Sequence, residues 1–563
     1  MESEKIRENF LSFFKERGHA IVPSSSIIPS DPSCLFTTAG MQQFKPYYLG
    51  EKSPYGKNAA SCQKCIRTSD IEEVGDESHL TFLEMLGNFS FGGYFKKEAI
   101  QFAHEFMFKE MGLSLEDAVF TVFKGERTVP FDLESADLWK KLGIPDGKIR
   151  EFGREDNFWG PTGQEGPCGP TTEIHLEGTE IWNLVFNEYF QDKEEKLTFL
   201  KQKGVDTGMG LERLTMICQR KKSVFETDLF QPIIEKIGDR AGQSYKQNPK
   251  AYRIIADHAK SSVFIASEGI FPSNVEKGYI LRRIIRRAIR YGMMLNLPKG
   301  FLIDLAGMVI NLYKNVYPEL RSRQEDIMTV IQKEEEKFEK TLASGLKMFG
   351  KASERGEIPG LEAFHLYDTY GFPFEFTLEL AKEKGIKVDE QGFKEALSKH
   401  KEVSRAGAEK KFGGVGKEAG EQAAKYHTAT HLLHAALREV LGSNVRQMGS
   451  DITAQRARFD FSYLNKMTEE EKDKVQSLVN ERIKMDLEVK KEEMPLKKAL
   501  ESGALSFFKE KYPERVSVYS VGNYSKEICA GPHAQRTGGL GTFKIIKEES
   551  AGSGIRRIRA VLE

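Results

Sequence analysis

The apolar positions at the start of the chain fall at near-helical spacing. Ile6, Phe10, Leu11, Phe13 and Phe14 predict a helix over residues 3–17, and Gly18 is suited to end it. Over residues 61–94 the pattern changes. Cys65-Ile66-Arg67-Thr68 is β-leaning and sets an arginine on one face, and residues 69–78 form an acidic loop with Gly75. Thr81 to Leu86 then resumes an apolar run that Gly87-Asn88 breaks. Residues 99–140 read as helix, short strand (118–123) and helix. A glycine- and proline-rich loop follows over 161–170, then a strand over 171–175. Residues 180–186 are apolar enough for a central strand. From about Pro232 the pattern is helical, with one long charged helix over 324–349. On an earlier basic helix, Leu281, Ile284, Ile285 and Ala288 make a buried stripe, while Arg282, Arg286 and Arg290 recur every four residues as a ridge.

Composition narrows the class. A chain of 563 residues has room for about three or four domains. Lys plus Arg and Asp plus Glu are equal at 83 each, so RNA binding requires the basic residues to be clustered. The five arginines of residues 281–290 match a surface that tracks phosphates; the alternative is a solvated helix with acidic partners elsewhere. Six irregularly spaced cysteines argue for a reducing compartment. The start, MESEKIRENF, has no signal-peptide character, and no apolar run is long enough to span a membrane. A cytoplasmic protein without a membrane partner is therefore expected.

Several stretches carry candidate chemistry. Arg67, between apolar strands, could fork onto phosphate oxygens while nearby carboxylates hold Mg²⁺. On spacing alone, a plain hairpin with a solvated acidic loop stands ahead. Residues 205–213, VDTGMGLER, place two glycines at a helix start and Arg213 on its first turn, a good seat for triphosphate. Cys62 and Cys65 form a lone CxxC and read as ordinary thiols, because a structural zinc wants four ligands. His427 and His431 are four apart on one helix face, and Cys529 with His533 would complete four ligands of a Zn²⁺ site. His434 reads as a supporting or core histidine. Residues 404–420 are linker-like.

Taken together, these stretches resemble the alanyl-tRNA synthetases, a class II aminoacyl-tRNA synthetase family. CIRTSDIEEVG followed by FLEMLGNFSFGGYF is similar to motif 2, LFTTAGMQQFKPYYLG to motif 1, and VDTGMGLERL to motif 3. DNFWG, GPCGPTTEI, EIWNLVF, PSNVEKGYILRRIIRRAIR, LYDTYGFP and HTATHLLHAAL follow the family's order. The resemblance implies an α/β (α+β) protein in three parts. A class II catalytic domain with an antiparallel sheet would span 1–235, a helical domain recognising the tRNA acceptor stem 236–403, and an α/β editing domain 425–563, after a linker at 404–424.

It also implies substrates and site residues. The substrates are ATP with Mg²⁺, L-alanine and tRNA(Ala). Arg67, Arg213 and Asp206 would be catalytic, with Asp206 pairing the alanine ammonium. Met41 and Trp159 would wall the pocket, Asn183 would hold substrate, Val185 would limit side-chain size, and Gly208 would let the backbone approach. Asn274 and Asp368 would read a G·U pair in the acceptor stem, with Arg282 and Arg286 tracking tRNA phosphates. Gln447 would lie near the scissile ester of an editing site for Ser- and Gly-tRNA(Ala), with Zn²⁺ on His427, His431, Cys529 and His533.

Departures from the family pattern are specific. Leu80 stands where the family has an ATP-contacting histidine, and Pro532 where it has threonine. The insertion before EIWNLVF, the β-barrel before the editing domain and the C-terminal helical and globular region have no counterpart, so a monomer is expected. The competing readings are a paralogue that charges a carrier other than tRNA and an inactive RNA-binding regulator.

Overall fold

A computed structural model describes residues 1–31, 33–409, 420–506, 512–552 and 554–563. The chain divides into two compact units, residues 1–270 with 275–335, and residues 271–274 with 336–563. The helical stretch expected as one domain over 236–403 is thus shared between them.

The first unit is built on a nine-stranded sheet: β1 (Ala20–Ile21), β2 (Asn58–Ile66), β3 (Phe82–Phe91), β4 (Ala118–Phe123), β5 (Ile149–Phe152), β6 (Phe158–Trp159), β7 (Gly166–Leu176), β8 (Thr179–Gln191) and β9 (Leu197–Gly210). The order is β1-β2-β3-β9-β8-β7-β4-β5, with β6 paired to β7. Only β1–β2 and β4–β5 are parallel, so the fold is the expected class II-type mixed sheet dominated by antiparallel pairs. β8 lies near its centre, as its apolar density predicted. The first helix, Ser3–Glu16, covers one face: Phe10 and Phe14 pack on Trp182 at 5.8 and 6.4 Å. Gly18 takes φ +77°, where glycine is at no disadvantage.

Two boundaries differ from the sequence reading, both because strands approach closely at glycine. β3 does not break at Gly87-Asn88 but runs on to Phe91; a Cβ on Gly87 would stand 2.6 Å from the carbonyl oxygen of Thr207 on β9. β7 begins inside the supposed loop, at Gly166, and a Cβ on Gly169 would overlap the Phe186 carbonyl of β8.

A buried chain of charges ties the unit together. Glu84 on β3 accepts two bonds from Arg7 (3.1 and 2.9 Å) and one from the Tyr317 hydroxyl (2.7 Å). Glu212, just after β9, accepts from the Glu84 N–H and pairs with Lys260 at 2.9 Å. Burial works against the Glu84 charge, but Arg7 and Lys260 hold its carboxyl below the usual range. Lys260→Met would leave Glu212 buried beside Glu84 without its cation. The expected loss is about 3–5 kcal/mol of stability in urea unfolding, and an unchanged midpoint would show the pair to be dispensable.

The arginine-rich helix, Glu276–Met294, corrects the phosphate-tracking expectation. Arg282 and Arg286 are 9% and 4% exposed and both turn onto the buried carboxylate of Glu334, while Arg283 pairs with Glu72. Arg282 and Arg286 are internal because Glu334, distant in sequence, meets both, so they are not the open basic face that the spacing suggested.

The second unit takes over within the long helix Gln324–Ser353. It continues with the parallel pair β10 (Glu357–Ile358) and β11 (Lys387–Val388) and helices Gly360–Thr369, Phe374–Glu383 and Glu390–Glu409. Residues 404–409 of the supposed linker are thus helical, and 421–424 open the next helix, Glu421–Leu441; residues 410–419 lie outside the described residues. Two antiparallel sheets follow. One has the order β12 (Gln447–Ile452), β13 (Ala457–Ser462), β18 (Ile555–Leu562), β17 (Phe543–Gly552); the other runs β14 (Val489–Pro495), β15 (Arg515–Val521), β16 (Ser525–Ile528). Leu432, Leu433 and Leu437 pack with Phe459, Phe461, Val479 and Ile558 as its core. No helix among the described residues is long and apolar enough to cross a membrane.

Candidate active site and metal centre

Side chains two apart on a strand share a face. Trp182 points to the covering helix, so Asn183 and Val185 point the other way. On β9 they face Gly208 and Asp206, and on β7 they face Glu173 and Thr171. The sequence-predicted residues Asn183, Val185, Asp206 and Gly208 therefore meet on one patch of sheet. Gly208 lets the Met85 thioether pack against the strand, 3.0 Å from where a Cβ would stand. Val185 is 4% exposed.

Asp206 is 5% exposed, and its carboxylate has no hydrogen-bond partner among the described residues. Burial alone pushes it up to about 8. A carboxyl in that state calls for a cation that none of the described residues provides.

Beside this patch, a cavity of about 580 Å³ is lined by Thr38, Ile66, Thr68, Trp159 and Gly160 to Gln164. Arg67 lies between the lining residues Ile66 and Thr68, one position past the end of β2. Its N–H still bonds the Thr81 carbonyl (2.9 Å), and its Nε donates to the Thr38 carbonyl at 3.4 Å. Trp159 and the fully buried Met41 pack in one cluster with Met85. Arg213 is the third residue of the helix Leu211–Cys218, and its guanidinium meets the Glu180 carbonyl and carboxylate at 3.1 and 3.2 Å. Leu80 is buried, and His79 is held by Asp76 at 2.5 Å.

Sequence reasoning missed two polar groups here. Lys45 bridges the Asp31 carboxylate and the Thr162 carbonyl at 2.8 and 2.9 Å, joining two loops that border the cavity. Glu173 accepts from Asn183 at 2.9 Å. Its only local signal is an acid within a strand.

In the second unit, Asn274 and Asp368 are both exposed; Asp368 sits on the helix Gly360–Thr369 with the His400 ring 3.9 Å away. Gln447 opens β12, and its amide donates to the Ser450 hydroxyl at 3.0 Å.

His427, His431, Cys529 and His533 come together as predicted, with one ligand atom of each within 4.8 Å of the others. The Pro532 carbonyl can only accept, so His427 Nδ1 carries the proton (3.2 Å) and Nε2 presents its lone pair 3.4 Å from the Cys529 thiol. The contact uses the proline carbonyl, so the N–H that proline lacks is not needed there. His533 Nε2 is buried with no hydrogen-bond partner. Burial pushes His427 down to about 4 and His533 to about 2, which keeps the imidazoles neutral, as ligands must be. The donor set and the orphaned nitrogen fit a tetrahedral Zn²⁺. Glu527, which sequence reasoning missed, is buried beside the cluster, 3.5 Å from His431 Nδ1 and 3.0 Å from His434 Nδ1. His434 is thus a supporting histidine, as read.

The chain is similar to known proteins along its whole length. The family described as tRNA synthetases class II (A) matches residues 5–475. The Threonyl and Alanyl tRNA synthetase second additional domain matches residues 516–559. The alanine–tRNA ligase of Borrelia hermsii (strain HS1 / DAH) is 46% identical, with 100% of both chains covered. That of Treponema pallidum (strain Nichols) is also 46% identical, covering 100% of this chain and 98% of the relative. That of Dehalococcoides mccartyi (strain ATCC BAA-2100 / JCM 16839 / KCTC 5957 / BAV1) is 39% identical over 99% of this chain and 80% of the relative. With the class II sheet, the patch that Asn183 and Asp206 share and these matches in hand, the chain belongs to the alanine–tRNA ligase family of class II tRNA synthetases.

Proposed function

We propose that this chain activates L-alanine with ATP and transfers the alanyl group to tRNA(Ala). The observation that carries the reading is the patch of sheet where Asn183 stands across from Gly208 and Val185 across from Asp206, whose carboxylate has no hydrogen-bond partner among the described residues. It offers an ammonium seat in which Val185 limits the size of the side chain, and the chain neighbours of Arg67, Ile66 and Thr68, line the cavity that would take ATP. In the first step an alanine carboxylate oxygen attacks the α-phosphorus and pyrophosphate leaves. Arg67 offsets the charge that develops on the α-phosphate, and Arg213 at its helix start holds the outer phosphates. Bound Mg²⁺ would add charge neutralisation to the triphosphate. In the second step a terminal ribose hydroxyl attacks the alanyl carbonyl and AMP leaves. The test is alanine-dependent ATP–pyrophosphate exchange, then charging of tRNA(Ala) transcripts with and without the G·U pair. Exchange that alanine does not stimulate would sink the reading.

Asn274 and Asp368, both exposed, are proposed to read that pair. Alanine at either position should lower charging by roughly 1–3 kcal/mol while exchange is spared, the range for base-edge contacts. An equal fall in both reactions would make the residues structural. The enzyme is proposed to act as a cytoplasmic monomer, checked by light scattering at micromolar concentration.

The second unit is proposed to hydrolyse Ser- and Gly-tRNA(Ala), with Gln447 near the ester. A pocket sized for alanine rejects serine poorly, because one added hydroxyl is hard to exclude by binding alone. His427, His431, Cys529 and His533 would hold Zn²⁺. Four protein ligands leave no open position, so the bound ion would orient the aminoacyl end. Cys529→Ala should lose the zinc and slow hydrolysis of preformed Ser-tRNA(Ala). Wild-type hydrolysis after zinc loss, with the fold intact, would show that the metal serves folding only.

A further inference from the structure

Asn183 has two faces to its amide, and Glu173 determines which one looks into the site. Glu173 is 8% exposed and stands directly across from Asn183 in the β7–β8 register. Its Oε1 accepts from Asn183 Nδ2 at 2.9 Å. Its Oε2 meets the His175 imidazole at 2.8 Å and accepts from the Thr121 hydroxyl at 3.4 Å. Burial pushes the Glu173 carboxyl up, while the His175 imidazole and the Thr121 hydroxyl favour its charged form; that form only accepts, and the NH₂ group of Asn183 is the face turned toward it. That leaves Asn183 Oδ1 pointing away from Glu173, and this oxygen is buried with no hydrogen-bond partner. An orphaned buried acceptor is costly unless something fills it. Across β9, one register step away on the same face, lies the Asp206 carboxylate, which also has no donor among the described residues. Two acceptors without donors on one patch match the donors of a primary ammonium.

Resting on the alanine reading above, we propose that Glu173 is a positioning residue that locks the Asn183 amide so that Oδ1 and Asp206 together seat the substrate ammonium. Glu173 touches neither substrate nor ATP in this arrangement. It acts by removing the alternative orientation, in which the Asn183 NH₂ would face a cation and repel it.

The test reads steady-state constants in the exchange assay on the full chain. In Glu173→Gln the side chain at 173 can donate as well as accept, so the Asn183 amide is free to turn over. KM for alanine should rise about tenfold, the scale of one hydrogen bond to a charged group. KM for ATP, the Mg²⁺ requirement and the melting temperature should hold. The exchanged pair, Glu173→Gln with Asn183→Asp, restores a donor at 173 and an acceptor at 183, and should bring KM for alanine back toward the wild-type value. Should Glu173→Gln fail to fold, Glu173→Asp, whose shorter carboxylate releases the amide, should give the same alanine-only change. Parallel rises in KM for alanine and ATP, a shifted Mg²⁺ requirement, or a double variant worse than Glu173→Gln would each overturn the positioning role. Wild-type exchange that ignores alanine would instead overturn the alanine reading itself, so the two failures are distinguishable.

Discussion

Arg67→Ala is expected to lower alanine-dependent ATP–pyrophosphate exchange about a hundredfold or more, the usual cost of removing a group aimed at charge that develops in the transition state. Most buried arginines of this unit are committed: Arg7 to Glu84, Arg282 and Arg286 to Glu334. Arg67 is not. No carboxylate pairs with it among the described residues, and its one contact is a long bond to the Thr38 carbonyl. Its backbone N–H bonds the Thr81 carbonyl just ahead of β3, its chain neighbours Ile66 and Thr68 line the cavity, and its guanidinium fork is uncommitted to any carboxylate among the described residues. Arg67→Lys keeps the charge but loses the fork, and should fall between the two. Near-normal exchange by Arg67→Ala would rule out the role.

Asp206→Asn is expected to lower kcat/KM for alanine by about a hundredfold, because it removes one partner of a buried charge pair. Its pH behaviour separates this from a general defect. In the empty protein Asp206 titrates at about 8, raised by burial. Alanine's ammonium binds the ionised form, so KM for alanine in the wild type should rise as pH falls from about 8 to 6, by up to about tenfold per unit. The variant should lose this dependence, and a flat wild-type profile would refute the assignment. Stability gives an independent reading of opposite sense. Between the unfolded value of 3.8 and about 8, the folded protein holds a proton that the unfolded chain has released. Folding stability from this group is therefore greatest at low pH and is lost as pH rises through that window. Without alanine, Asp206→Asn should melt at a higher temperature than the wild type at pH 9, with the gap closing toward pH 4.

Much of the chain was legible from local pattern. The phenylalanines of the first helix recur at helical spacing because one side of it covers the sheet, and the apolar runs at 118–123 and 180–186 are strands because both of their faces are buried. The order of the motif residues told which side chains would share a site, and Asn183, Val185, Asp206 and Gly208 do meet on one patch. Glycine was the local signal read wrongly: at Gly87 and Gly169 it marks strands pressed together rather than chain breaks.

What only the tertiary structure decided concerns polar groups and their partners. The arginine ridge reads as an outer surface in sequence, because helical period locates the apolar stripe but says nothing of what meets the other side. Glu334 meets Arg282 and Arg286 and Glu72 meets their neighbour Arg283, so the ridge is inside. Glu173 gains its task from strand register, which sets it opposite Asn183, and Glu527 gains its own from β16, which brings it beside His431 and His434. A side chain's charge is written in the sequence, whereas the partner that neutralises or orients it is chosen by packing between segments far apart along the chain.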